Sequence, residues 1–205
     1  MIDIHLIDIQ GILPAILGMR NSYQSRNKSD SKVNHFGIND IILASKLAEA
    51  GPSHSKYRRM IIVWADITAP LYWWKEFDTY KIGTVANSES TMHSVTKKEF
   101  EISDFSIEHL TEGNKDGFEK CCIKALNTAR ENYLETKDKL WWWQIIQQLP
   151  SSYNQMRTVM LNYEVLANIY NQRKNHKLDE WLQFCEWIKQ LPYADEIIIA
   201  KGNDK

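Results

Sequence analysis

The sequence lacks the features that define several large classes of protein. It has three cysteines, and an odd number that includes the adjacent pair Cys121–Cys122 argues against a disulfide framework. No apolar run approaches the ~20 residues that span a bilayer. The net charge of −1, from 25 basic and 26 acidic side chains, gives no general attraction to nucleic acid or membrane. We therefore expect a cytoplasmic protein with no membrane or nucleic-acid polymer as partner, in which a local site holds any anion.

Short motifs that mark common catalytic and metal sites are also missing. The histidines lack the i, i+4 spacing of a helical metal site, and no Cys-x-x-Cys pair is present. There is neither a Gly-x-Gly-x-x-Gly nor a Gly-Lys-Ser/Thr phosphate loop. We therefore expect no metal site and inert thiols.

Composition and hydrophobic pattern predict a single α+β domain over residues 1–205. An apolar content of 43% is enough for one ordinary core. Polar and apolar residues alternate over Met1–Ile9, and Tyr57–Asp66 contains a β-rich apolar run, so both predict strands of a small mixed sheet. A short helix is predicted over Leu13–Met19, and longer helices that pack on this sheet over Asn39–Ala50, Leu71–Tyr80 and Phe118–Leu149. A polar loop is predicted over Asn21–Asn34 and a break over Gly113–Gly117.

Two groups of aromatic residues exceed what one amphipathic face buries. Aromatic side chains surround much of the predicted helix Leu71–Tyr80, and the rings of Trp141–Trp143 cannot all point one way. We expect that one chain cannot bury all of these rings, which predicts a homo-oligomer, in the first instance a homotetramer. Packing inside one core is the simpler alternative for the tryptophan triplet.

A helix predicted to run from Asn162 to Arg173 carries polar groups beside apolar ones. Eleven residues are about three turns, so Asn162 and Arg173 project from nearly one line, which they share with Leu166 and Ile169. This pattern indicates a polar cavity suited to an anion. The alternative is structural, with Asn162 as a satisfied core amide and Arg173 as a last-turn cation.

The stretch Glu76–His93 has the composition of a phosphate-binding loop. Its glycine, asparagine and hydroxyl residues, Ser88 and Ser90 among them, offer N–H and O–H donors to an anion. Stretches of this kind are more often ordinary capping loops, and that alternative stays open.

These segments together resemble the flavin-dependent thymidylate synthases (ThyX). Leu149-Pro150, Asn162, Asn168 and Arg173 follow the family pattern L-P…N-x-R-x-L…L-R in order and spacing. Further matches, which carry the resemblance over nearly the whole chain, are Met19–Ser22, Ala50–His54, Lys81, Thr84, Asn87 and Ser90. Ser88 stands where the family has Glu.

The resemblance implies a reaction in which reduced FAD, regenerated with NADPH, passes a hydride while methylenetetrahydrofolate donates a carbon to dUMP. It also implies a homotetramer with active sites between subunits. The nucleotide would be held by Arg173, Ser90 and Ser88, and the flavin would be bordered by residues His54, Lys81, Asn162 and Asn168.

Several cationic positions of the family pattern are replaced in this chain. The flavin-contacting R-H-R triplet is Thr79-Tyr80-Lys81, the N-x-R arginine is Glu164, and the last arginine of the signature is Met92. Methionine cannot make the bidentate phosphate contact of an arginine, and Glu164 is expected to add a negative charge near the flavin. FAD is therefore expected to bind weakly or not at all, and no catalytic residue is assigned.

Three hypotheses for the function remain. The protein is a thymidylate synthase-like methyltransferase, or a non-catalytic nucleotide-binding or nucleotide-sequestering oligomer suited to a divergent phage-borne member, or a purely structural oligomer.

Overall fold

The computed structural model of the protein describes residues 1–33 and 35–199 and has an α+β fold. Its strands are β1 Asp3–Gln10, β2 Ile62–Pro70, β3 Thr84–Ser88 and β4 Asn154–Asn162. They form one antiparallel sheet in the order β1-β2-β4-β3. The helices are α1 Ile12–Met19, α2 Ile38–Glu49, α3 Leu71–Phe77, α4 Thr91–Ser94, α5 Glu112–Gly117, α6 Lys124–Thr136, α7 Lys139–Gln148, α8 Tyr163–Arg173 and α9 Asp179–Lys189. The predicted α+β class with a small sheet is confirmed, and the sheet is antiparallel where a mixed one was expected.

The chain divides into two compact units. Unit 1 comprises Met1–Asp3, Thr68–Asp78 and Asn87–Arg157, and unit 2 comprises Ile4–Ile67, Thr79–Ala86 and the chain from Thr158 onward. The prediction of one domain over residues 1–205 stays a prediction. Within the described ranges, no helix is both long and apolar enough to cross a membrane.

Unit 1 is organised around aromatic side chains. Phe100, Phe105 and Tyr153 pack together with apolar residues of α6 and α7. In α3, Trp73 and Trp74 are at most 1% exposed. Phe77 is buried as well, whereas Tyr72 is half-buried and Trp143 of α7 is 43% exposed. The expectation that one chain does not bury all rings of the two aromatic groups, and the homo-oligomer inferred from it, stay predictions.

Unit 2 has its core where α8 meets α9 and the 3-10 turn Lys56–Met60. Trp181, Phe184 and Ile188 recur on one face of α9 and are fully buried, as the spacing of an amphipathic helix requires. Tyr163, the first residue of α8, is also buried, and its hydroxyl donates to the carbonyl of Pro192 at 2.8 Å.

The structure corrects several predicted element boundaries. The helix predicted over Phe118–Leu149 is two helices, because Lys137 adopts a left-handed conformation at φ 58° and ends α6. A π-helical turn, Phe118–Ile123, joins α5 to α6, so the predicted break at Gly113–Gly117 is instead the helix α5. The strand predicted to end at Asp66 extends to Pro70.

Three further corrections concern the segments that carry the candidate sites. The helix after Pro70 ends at Phe77 rather than at Tyr80, and β3 lies inside the stretch that was predicted to be a loop. The strand β4 was not predicted at all. The polar loop predicted over residues 21–34 contains two short 3-10 turns, and its last residue, Asn34, lies outside the described residues.

Candidate functional site

A cavity of about 1020 Å³ lies in unit 2 between α1, the residues that follow it, and the 3-10 turn Lys56–Met60. Its apolar wall includes Leu13, Leu17 and Met60. The close approach of α1 to this turn depends on Gly11, which has a φ of 89° and whose missing Cβ would collide with the carbonyl of Met60. Gly11 therefore allows α1 and the Lys56–Met60 turn, which are far apart in the sequence, to approach each other at the cavity.

The polar wall of the cavity favours an anionic ligand. Arg26, His54 and Lys56 all line it and all are exposed, whereas no described lining residue carries a carboxylate. The hydroxyl of Ser53 also lines this wall, whereas that of Ser22 donates to the carbonyl of Met19 at 3.5 Å. A cavity that carries only cationic or neutral groups concentrates anions.

Two tyrosines of the cavity differ in their roles. Tyr23 is 81% exposed, so its ring is available to stack on a planar ligand. Tyr57 is buried and donates its hydroxyl to the carbonyl of Ala44 at 2.7 Å. Burial raises the pKa of Tyr57 to about 12, so it stays a neutral phenol near pH 7 and serves to hold α2 in place.

A second polar region of unit 2 surrounds Arg173, the last residue of α8. The Arg173 Nε donates to the hydroxyl of Tyr80 at 2.9 Å, and its Nη1 lies 2.9 Å from Nε2 of His176. The guanidinium carbon lies 4.6 Å from the ring centre of Trp181 and 5.7 Å from that of Tyr80. The Tyr80 hydroxyl in turn donates to Gln172 at 2.9 Å. Arg173 is half-buried. It already donates to Tyr80, which replaces the central histidine of the family triplet.

Asn162 is the N-cap of α8 rather than a member of its face. Its side-chain oxygen accepts a hydrogen bond from the Val165 N–H at 3.0 Å, which satisfies one of the unpaired donors of the first helical turn. Its amide packs against Gly83, where φ is 76° and an added Cβ would collide with the amide. The expectation that Asn162 and Arg173 share one helical line is therefore wrong.

Glu164 does not place an open negative charge at the site. Its carboxylate lies 3.7 Å from Nη1 of Arg58 and accepts a hydrogen bond from Ser55 at 3.3 Å, and all three residues are buried. Burial beside an arginine neutralises the carboxylate locally. Glu164 is therefore paired with Arg58, and its expected effect on an anionic cofactor stays a prediction.

Ser88 and Ser90 lie in unit 1, where both are exposed. Ser88 ends β3, and the carbonyl of Ser90 accepts the backbone N–H groups of the next turn. Gln155 holds this segment, because its side-chain amide donates to the carbonyl of Glu89 at 2.8 Å and to the hydroxyl of Thr91 at 3.1 Å. The segment is therefore an ordered strand end rather than an open loop.

The remaining predicted residues are separated within unit 2. His54 lines the cavity, whereas Arg173, Lys81, Asn162 and Asn168 are not among its lining residues. Lys81 follows Tyr80 in an exposed turn, and Asn168 is exposed on α8. The structure thus brings Arg173 beside the Thr79–Lys81 segment, and it places His54 in a different polar environment.

Sequence reasoning missed Arg26, Lys56 and Tyr23, three residues that define the chemistry of the cavity. Two signals could have found them. Tyr23 and Arg26 follow the Met19–Ser22 segment that was matched to the family, and Lys56 lies two residues after His54. The sequence does not show that the segment with Tyr23 and Arg26 and the segment with His54 and Lys56 line the same cavity.

The whole chain resembles solved structures of enzymes that act on pyrimidine nucleotides. It matches thymidylate synthase X (ThyX) from Helicobacter pylori, solved with FAD and dUMP, at a TM-score of 0.71 and 17% identity, over 100% of both chains. It also matches PolB, a UMP/dUMP methylase from Streptomyces cacaoi, at a TM-score of 0.66 and 15% identity, over 98% of this chain and 96% of the other. No protein-family model and no curated protein sequence matches. At these identities the comparison shows the fold, which is that of the flavin-dependent thymidylate synthases.

Proposed function

We propose that the protein binds a nucleotide, and that its unit 2 cavity takes an anionic ligand with a planar ring system, such as FAD. The observation that carries this proposal is the lining of the cavity. Arg26, Lys56 and His54 supply positive charge or hydrogen-bond donors, Tyr23 supplies an exposed ring, and α1 supplies an apolar wall. This combination of one apolar surface with a few polar groups is typical of sites for small organic ligands.

The residues of the cavity fit FAD in chemical type. Phosphate groups suit Arg26 and Lys56, and a flavin ring suits the apolar wall and Tyr23. FAD would supply hydride transfer when bound. The proteins of similar fold that were solved with FAD support this choice of probe.

For the nucleotide itself, we propose Arg173 as the ligand in unit 2. Ser90 and Ser88, in unit 1, stay predicted nucleotide ligands, and Lys81, Asn162 and Asn168, which do not line the cavity, stay predicted cofactor residues. The neighbours solved with dUMP or 5-Br dUMP support dUMP as the first nucleotide to test. For Arg173, a bound phosphate would meet a guanidinium whose Nε donates to Tyr80 and whose Nη1 lies 2.9 Å from Nε2 of His176. For Asn162, only the amide nitrogen is left, because the side-chain oxygen caps α8.

A binding protein without catalysis is the second candidate, and the Tyr80–Arg173 contact favours it. In the resembled family the R-H-R triplet contacts the flavin. Here Tyr80, in the middle of the equivalent triplet, uses its hydroxyl on Arg173 and Gln172. A methyltransferase would need NADPH and methylenetetrahydrofolate as co-substrates, so the two candidates differ in a measurable way.

Calorimetry of the wild type with FAD, dUMP, UMP and other nucleotides tests both candidates. Binding of FAD or of a pyrimidine nucleotide at micromolar concentration is the expected result, and binding of none of them contradicts the proposal. Turnover of dUMP with NADPH and methylenetetrahydrofolate would identify an enzyme. Binding without turnover would identify the non-catalytic protein.

We also propose that the protein is a homotetramer in the cytoplasm. Trp143 is 43% exposed and Leu140 is 57% exposed on α7, so unit 1 presents apolar side chains that a partner could cover. Sedimentation at micromolar concentration tests the assembly, and a monomer there would contradict it.

A further inference from the structure

The arm, residues 21–28, forms one wall of the unit 2 cavity. Tyr23 and Arg26 belong to this arm, and both line the cavity. Neither side chain is buried. Inside the arm, the backbone hydrogen bonds are those of two short 3-10 turns, such as that from the Gln24 N–H to the carbonyl of Asn21 at 3.1 Å. To the chain before the arm, the Ser25 N–H donates to the carbonyl of Arg20 at 3.1 Å, and the Arg26 Nε donates to the carbonyl of Leu17 at 3.4 Å. Two isolated turns are too short to hold a cavity wall in place by themselves.

Both ends of the arm are held by one buried carboxylate, that of Asp40. Immediately before the arm, Arg20 donates from its Nε to Oδ1 of Asp40, and both residues are buried. Immediately after the arm, the hydroxyl of Ser29 donates to Oδ2 of Asp40 at 2.6 Å. Asp40 is 0% exposed and is not among the residues that line the cavity.

The loop that follows the arm strengthens this attachment. Oδ2 of Asp40 also accepts the N–H of Asp30 at 3.2 Å, and the N–H and hydroxyl of Ser31 at 3.1 and 2.6 Å. In return, Asp30 accepts the N–H groups of Asn39 and Asp40 at 2.9 and 3.2 Å, and so caps α2 from outside the helix. The approach of Asp30 requires Gly37, because a Cβ there would collide with the Asp30 carboxyl group.

These contacts have a consequence for the ligand. A carboxylate that accepts several hydrogen bonds and one ion pair is a rigid anchor, and removing its charge leaves Arg20 buried without a counter-ion. The anchor lies at both ends of a segment whose middle faces the cavity. Loosening it would move Tyr23 and Arg26 while leaving the rest of the lining in place.

We propose that Asp40 is a positioning residue for the cavity: by holding Arg20 and Ser29, it fixes the arm and thereby sets the affinity for the ligand that the arm contacts. This inference rests on the proposed function for its ligand, and on the contacts alone for the arm.

The test combines a readout of the arm with a readout of binding. Trypsin cleaves after Arg26 and Lys28, which are both exposed within the arm. In Asp40→Asn, we expect cleavage at these two sites to be at least about tenfold faster than in the wild type, with sites outside the arm unchanged, because opening is local. We expect the dissociation constant for FAD to rise by about tenfold, and saturating FAD to restore protection of Arg26.

Two further variants make the test specific. Ser29→Ala releases only the far end of the arm and keeps the buried pair of Arg20 and Asp40, so it folds even where Asp40→Asn does not, and we expect the same changes at reduced size. Glu49→Gln, on the exposed side of α2, is the matched control and should behave as the wild type.

The outcomes separate this inference from the proposed function. Faster cleavage in the arm with unchanged FAD affinity overturns the positioning role, and so does unchanged cleavage in both variants. A wild type that binds neither FAD nor dUMP overturns the proposed function instead, because the cleavage pattern is measured without ligand.

Discussion

Two polar regions of unit 2 contain an arginine suited to an anion, but they hold it differently. In the cavity, Arg26 is exposed and its Nε donates only to a backbone carbonyl, that of Leu17, at 3.4 Å among the hydrogen bonds of the described residues, and His54 and Lys56 are exposed as well. At the end of α8, Arg173 is half-buried, donates to Tyr80, and lies over Trp181. A match to a family motif can therefore identify a cationic residue. The contacts of that residue in the fold decide how many of its hydrogen-bond donors a ligand can reach.

The largest expected effect is a difference in unfolding free energy between a substitution in the Arg173 region and one in the cavity region. Trp181→Ala removes a fully buried ring from beneath Arg173 and should lower the free energy of unfolding by about 3–5 kcal/mol. Tyr23→Ala removes an exposed ring and should change it by less than about 0.5 kcal/mol. Urea denaturation of both variants measures this. Equal losses would show that the cavity region is as tightly packed as the Arg173 region.

The second prediction compares the two arginines in binding. Arg173→Ala should weaken binding of dUMP by about ten- to a hundredfold, because a charge-assisted hydrogen bond contributes roughly 1.5–3 kcal/mol. It should also lower stability, because Tyr80 and Trp181 lose their partner. Arg26→Ala should weaken FAD binding with little change in stability. Calorimetry measures the affinity of each variant, and urea denaturation measures its stability. An Arg173→Ala protein with unchanged stability and unchanged affinity for dUMP would contradict both expectations for Arg173.

The third prediction concerns the pH dependence of the stability that Asp40, the residue that holds the arm, contributes. Burial alone would raise the pKa of Asp40, but hydrogen bonds from Ser29 and Ser31 and the ion pair with Arg20 outweigh it and hold the pKa below the usual 3.8. A carboxyl group with a depressed pKa contributes stability above its unfolded pKa and loses it as the pH falls through the folded pKa.

Stability of the wild type should therefore fall as the pH drops below about 4, by at most about 1.4 kcal/mol per pH unit from this one group. Asp40→Asn should be less stable near pH 7 and should show a shallower acid dependence. Urea denaturation between pH 7 and pH 3 checks this, and parallel pH profiles of the two proteins would contradict it.

The smallest expected effect concerns the hydroxyl that holds Arg173. Tyr80→Phe removes the hydrogen bonds to Arg173 and Gln172 but keeps the ring, and it should cost about 1 kcal/mol of unfolding free energy. If this hydroxyl restrains Arg173, the variant should bind dUMP at least as tightly as the wild type. Weaker binding in Tyr80→Phe would indicate instead that the hydroxyl orients the guanidinium toward the nucleotide.

Local patterns determined much of the secondary structure. The alternation at the start of the chain marked β1, and the apolar spacing before Arg20 and around Ala44 marked α1 and α2. The helix that ends at Arg173 was also found from its sequence. In these segments the pattern is set by neighbours three or four residues apart on a helix, or two apart on a strand, so the sequence carries the necessary information.

Tertiary structure decided β4, the burial of α3 and the cavity. The strand β4, Asn154–Asn162, alternates only weakly and becomes a strand by pairing with β2 and β3. The resemblance to thymidylate synthases identified His54, Asn162 and Arg173, but it could not show that Asn162 caps a helix or that Arg173 donates to Tyr80. The residues that line the cavity come from segments far apart in the chain, and burial and pairing at such separations depend on the whole fold, whereas helical and strand periodicity depends only on the neighbours of each residue.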